Sequence, residues 1–186
     1  MHMPVEGTSP SLHVQIQIVF VIFINPMLDI TILCVGRMKE KFYIDAAAEY
    51  VKRLGAYCKI AVTELTEVKK SESPSDRERE AALSREAEDI LSRVPKGAAV
   101  IAMCIEGKEL SSREFAAKLD SLASGGVSKL CFVIGGSDGL HESVKNAAQL
   151  KMSMSRMTFP HHLARVMLLE QIYRALNISS GGKYHK

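Results

Sequence analysis

Hydrophobic and polar positions repeat in two periods along residues 27–186, and the periods take turns. Asp29–Val35 (DITILCV) is a short β-branched run ended by Gly36, and it predicts a strand. Glu40–Leu54 predicts a helix: Phe42, Ala46, Ala47, Tyr50, Val51 and Leu54 fall at helical spacing, and Gly55 suits a C-terminal cap. Lys59–Val68 alternates as a strand does, and Ser71–Asp76, with Pro74, is a polar loop. Arg77–Val94 is a charge-laced helix whose core face should be Ala81, Leu83, Ala87, Ile90, Leu91 and Val94. Ala98–Ile105 and Lys129–Ile134 are almost continuously apolar, the pattern of strands buried on both faces of a parallel sheet. Between them Ser111 and Glu114 fit a capping box that opens a helix to about Ala123. After Gly135-Gly136-Ser137-Asp138-Gly139 come a short helix (His141–Leu150), a short strand (Lys151–Ser155) and a helix (His162–Leu176) with Val166, Leu169, Ile172, Tyr173 and Leu176 inward. Strands separated by helices predict an α/β fold: a mostly parallel sheet with helices on both faces, with no linker long enough to divide it.

Residues 1–26 break this pattern. Polar, turn-rich residues precede Val14–Ile24 (VQIQIVFVIFI), an apolar stretch of about eleven residues, too short to span a bilayer. Three readings stay open: an added edge strand, a secretion signal, or upstream sequence translated from the wrong start. The last is favoured, with Met27 as the working initiator, because no Lys or Arg precedes the run and no small-x-small cleavage site follows it. The expected division is therefore a leader over 1–26, mis-assigned or disordered, and one domain over 27–186.

Composition narrows the function classes. The chain has 186 residues, 47% hydrophobic and 24% charged, which excludes disorder and low-complexity architecture. Cys34, Cys58, Cys104 and Cys131 lie in apolar runs with no C-x-x-C, as buried free thiols of a cytoplasmic protein do. Residues 145–186 hold seven basic residues against one acid, Glu170; this local +6 in a chain of net charge +3 leaves −3 for residues 1–144. Such asymmetry points to a polyanionic partner, or to a solvated basic face.

The candidate chemistry is sparse. The glycine turn follows a buried strand and precedes a helix, where α/β sheets bind ligands. It is neither G-x-G-x-x-G nor a P-loop, and no acid follows about twenty residues on to hold a ribose, which counts against a nicotinamide oxidoreductase. His141-Glu142 is not followed by the second His of a zincin, and no G-x-S-x-G elbow is present. His161-His162 could be a metal pair or supply a general base, though adjacent helical residues diverge by about 100°. No metal is expected. Glu170 is placed to pair with Arg174 at i+4.

Several segments together resemble one family. They are ITILCVGRMKEKFY (Ile30–Tyr43), AEYVKRLG (Ala48–Gly55), FVIGGSDGL (Phe132–Leu140), SMSRMTFPHHLARVMLLEQIYRAL (Ser153–Leu176) and the terminal YHK (Tyr184–Lys186). They are similar to the bacterial 23S rRNA pseudouridine N3-methyltransferases, the large-subunit rRNA methyltransferase H family of the SPOUT superfamily. The resemblance runs from about Met27 to the last residue. It implies a C-terminal deep trefoil knot and methyl transfer from S-adenosylmethionine to N3 of a pseudouridine. The implied partners are 23S rRNA within the 70S ribosome and a second copy of the chain in a homodimer, without a membrane. Met103, where Leu is usual, Gly135 and the loop Met154, Ser155, Arg156, Met157, Thr158 and Phe159 would hold the cofactor. Arg165, Tyr184 and His185 are the candidates for supporting an N3 anion, with Arg174 and Lys186 on phosphates. The tail after Gly181-Gly182 is expected to be free to reach a ligand. The alternative is a non-catalytic ribosome-binding or assembly factor on the same fold.

Overall fold

The strand β1, Asp29–Val35, occupies the expected residues, and its alternation sorts its side chains between two cores. Ile30, Ile32 and Cys34 face one side; Leu33 and Val35 face the other. The computed structural model describes residues 27–184, so the leader with Val14–Ile24, and also His185 and Lys186, lie outside the described residues. Helix α1 is Lys41–Leu54, strand β2 Lys59–Leu65, helix α2 Asp76–Arg93 and strand β3 Ala99–Glu109. Helix α3 is Ser112–Ser124, strand β4 Lys129–Ile134, helix α4 Glu142–Ala147, strand β5 Leu150–Ser153 and helix α5 His161–Ser179.

The five strands form one sheet in the order β2-β1-β4-β3-β5, and every neighbouring pair is parallel. Helical crossovers make this possible, because a parallel neighbour cannot be reached by a tight hairpin. Leu54, Phe115, Leu119, Leu168, Leu169 and Ile172 bring α1, α3 and α5 onto one face. Ala87, Ile90 and Val144 bring α2 and α4 onto the other. The sheet is thus all-parallel and covered on both faces.

Two local differences from expectation have physical causes. β3 runs beyond Ile105 into polar Glu106–Glu109, because Lys108 and Glu109 pair with Met152 and Ser153 of β5 after a register shift. A Cβ on Gly107 would stand 2.6 Å from the Met152 backbone, so only glycine permits that crossing. The buried face of α2 is Ala82, Glu86, Ala87 and Ile90, leaving Leu91 exposed. Glu86 is retained there because it accepts the Val68 N–H at 2.8 Å. The capping box at the start of α3 is present as expected.

Phe132 anchors the central strand β4, is fully buried and meets Phe115 edge-on at 6.1 Å. Phe132→Ala is expected to lower unfolding free energy by about 3–5 kcal/mol in denaturant titration. Leu91→Ala, on the solvent side of α2, should change it by no more than about 0.5 kcal/mol.

Candidate functional site

The pairing of β3 with β4 stops at Met103 and Ile134, and a cavity of about 640 Å³ opens beyond that point. Its walls come from the middle of β3, the glycine turn after β4, and the segment leading from β5 into α5. Met103, Gly135 and the 154–159 loop line it, apart from Arg156, which is exposed. The loop is shaped from within: the Ser153 hydroxyl donates to the Ser155 carbonyl at 2.8 Å, and Met157 N–H donates to Ser155 Oγ at 3.0 Å.

Gly135 serves the turn in a way the pattern did not foretell. A Cβ there would stand 2.0 Å from the Gly139 carbonyl oxygen, so the space it keeps clear belongs to its own turn before any ligand. Gly139 has φ +83° and donates its N–H to Gly136 O at 3.2 Å. The turn is also clamped from the segment after β2. Glu67 accepts from the Ser137 hydroxyl at 2.6 Å and its N–H at 3.2 Å, while Lys70 pairs with Asp138. The Ser137 hydroxyl holds the Glu67 carboxyl below its ordinary range, and Asp138 raises the Lys70 ammonium. About 70 residues separate the partners, so no local pattern announced this clamp.

Arg165 is only 3% exposed. It donates to Glu64 at 2.5 Å and to the Gly36 carbonyl at 2.9 Å, joining α5 to the ends of β1 and β2. Burial works to raise the Glu64 carboxyl, but hydrogen bonds from Met38 N–H and Arg165 outweigh it and hold it low. The guanidinium is therefore not presented to an incoming base; it is an interior brace. The ring of His161 lies over Gly36, where φ is +92° and a Cβ would meet Nε2 at 3.0 Å. His162 reaches Glu40 at 3.0 Å through Nδ1, while its Nε2 is buried without a partner.

The tail as far as Tyr184 is docked instead of free. Gly182 N–H donates to Asn177 O at 2.8 Å, and Tyr184 N–H to Asn177 Oδ1 at 3.0 Å. The Tyr184 ring meets Tyr173 at 4.8 Å and carries the Arg174 guanidinium 4.7 Å above it. Arg174 also holds Glu170 at 2.5 Å, the pairing expected from their spacing. Tyr50 beside it pushes the Tyr184 phenol up. Burial raises the thiols of Cys34 to about 12 and of Cys58 and Cys131 to about 11, so these are inert at neutral pH. Among the described residues no group of three His, Cys, Asp or Glu stands ready for a metal ion. None of their helices is long and apolar enough to cross a membrane.

A second cavity of about 580 Å³ lies where α1, α3 and α5 meet, edged by Tyr50, Ser112, Phe115, Met154 and Met167. Met152, Ser153 and Met154 line both cavities.

Residues 28–185 match the family model described as "Predicted SPOUT methyltransferase". The chain is 48% identical over 159 residues to ribosomal RNA large subunit methyltransferase H of Bacillus pumilus, spanning 86% of this chain and all of the relative. The same-named protein of Clostridium beijerinckii is 46% identical with the same coverage. Among solved structures, a probable methylase family protein from Haemophilus influenzae Rd KW20 matches with a TM-score of 0.50 and 17% identity. That match covers 86% of this chain and 71% of the other, a likeness of fold.

Proposed function

The chain belongs to the SPOUT methyltransferase family, and from that premise we propose that it transfers a methyl group from S-adenosylmethionine to N3 of a pseudouridine in 23S rRNA on the assembled 70S ribosome. The observation that carries this reading is the single cavity lined by Met103, Gly135 and most of the 154–159 loop. Full-length identity to relatives named as large subunit rRNA methyltransferases supports the rRNA substrate.

The residues present fit the cofactor. A cavity of about 640 Å³ is of the size that encloses a drug-sized ligand. Its thioether and aromatic walls, Met103, Met154, Met157 and Phe159, suit a purine and an alkyl chain, and the glycine turn brings bare backbone to the same wall. When bound, S-adenosylmethionine supplies an electrophilic methyl group on a positively charged sulfur, so alignment matters more than covalent catalysis. The chain's own residues hold that alignment: Glu67 and Lys70 fix the glycine turn, and Arg165 fixes the start of α5 against β1 and β2. Arg156, exposed beside the cavity, is a cation placed for an RNA phosphate.

The fold proposed for residues 27–186 is one domain whose C-terminal part threads a trefoil knot. Its support is the return of 154–160 past the glycine turn into a shared cavity. A homodimer is proposed on α5, whose Leu168, Leu169 and Ile172 are spent on the sheet while Val166, Met167 and Tyr173 remain half-buried. Arg174, Tyr184, His185 and Lys186 would then serve the RNA or the partner's site.

The test is a tritiated-methyl assay on 70S ribosomes from a strain lacking the modification, followed by nucleoside digestion. The expected product is N3-methylpseudouridine in 23S rRNA. Label on another nucleoside, or none, would overturn the assignment.

A further inference from the structure

We propose that His161 is a catalytic residue that accepts the N3 proton of the substrate base; this rests on the methyltransferase reading above. The placement comes first. His161 opens α5 and lines the same cavity as Met103, Gly135 and the 154–159 loop. The other ionisable side chains in that wall are already engaged. Asp138 is paired with Lys70, Glu106 with Lys145, and Cys104 donates to the Ala102 carbonyl. Arg165, one turn further along α5 and outside that wall, is paired with Glu64. Among the described residues lining this cavity, His161 is the ionisable group with no hydrogen-bond partner.

Its orientation suits the role. The three ring atoms nearest Gly36 are Nε2, Cδ2 and Cε1, which leaves Nδ1 further from that residue. The His162 ring packs edge-on at 4.1 Å and limits rotation. The charge state suits it as well. Burial pushes the imidazole below its ordinary value, with His162 and Arg165 on α5 adding to the effect. Glu67 after β2 and Glu40 before α1 oppose it without reversing it. Pro160 gives α5 no side-chain cap, and the positive end of a helix further disfavours an imidazolium. The group is therefore neutral at neutral pH and able to accept.

The step is a simple proton transfer. The N3–H bond breaks, its electron pair stays on N3, and a new N–H bond forms on the imidazole. The imidazolium then returns the proton to water. The N3 anion is the better nucleophile for an alkyl centre, and a neutral imidazole is the stronger acceptor compared with water.

The experiment compares wild type, His161→Gln and His161→Asn as full chains on unmodified 70S ribosomes, with calorimetry for S-adenosylmethionine and far-UV dichroism for folding. We expect kcat to fall about 10²–10⁴-fold while cofactor affinity stays within a few-fold. The wild-type rate should rise with pH through a limb below the usual histidine value of about 6.5, since protonation removes the acceptor. In the variants that limb should vanish, and the rate should instead climb through the alkaline range, where the imide ionises unaided. A folded variant with a near wild-type rate and an unchanged acid limb would overturn the proposal. So would a loss of cofactor binding as large as the loss of rate. If wild type itself methylates no ribosomal RNA, the fault lies in the underlying reading, and that control separates the two failures.

Discussion

Gly135→Ala is expected to weaken S-adenosylmethionine binding at least 100-fold, about 3 kcal/mol, and to lower thermal stability together with it. The methyl group would stand 2.0 Å from the Gly139 carbonyl oxygen and 2.4 Å from its carbon, and backbone cannot rotate aside as a side chain can. Ile134 and Leu140 on either side of the turn are both 5% exposed and locked into opposite cores. The strain must therefore open the turn between them, which is the wall of the cofactor cavity. Overpacking of this kind costs about 1–3 kcal/mol of stability. Gly139→Ala is the informative control, because nothing lies within 4 Å of its Cβ and only its φ of +83° resists substitution. That variant should lose about 1–2 kcal/mol of stability and far less affinity. Calorimetry and thermal unfolding on both variants decide the matter; full affinity in Gly135→Ala would remove the turn from the site.

Removing Tyr184–Lys186 is expected to abolish rRNA methylation while leaving cofactor affinity within a few-fold. The geometry adds a condition to this outcome. Tyr184 is docked beside Tyr173 and Arg174, thirteen residues along α5 from His161, or roughly 20 Å at the rise of an α-helix. Within one copy of the chain that ring cannot reach the cavity at the other end of the helix. A catalytic tail must then act in a second copy, which ties this result to the proposed dimer. Mixing tail-deleted subunits with Gly135→Ala subunits tests it directly. Each parent should be inactive, and the mixture should regain activity through dimers that combine one intact cavity with one intact tail. A tail-deleted enzyme that methylates ribosomes at the full rate would leave the tail with only its packing role.

Local pattern determined the elements wherever the apolar run and its stops agreed. β1 and β4 begin and end at the expected residues because Gly36 and Gly135 interrupt runs that are buried on both faces. The capping box of α3 needed only Ser111 and Glu114, three residues apart. The alternation of helices and strands and the long resemblance from Met27 onward led to the family and its α/β sheet. What local pattern could not hold was any contact whose partner lies far along the chain. The apolar run stops at Ile105, and pairing with β5 carries the strand on to Glu109. Gly181-Gly182 look like a free hinge, and Asn177 ties the tail down. Arg165 looks like part of a basic face, yet Glu64, 101 residues away, makes it an interior brace. His161 stood open as a metal ligand or a base, and only the fold sets it in one cavity wall with β3, the glycine turn after β4 and the segment from β5. A side chain's charge and periodicity are local properties, whereas its burial and its partners belong to the fold.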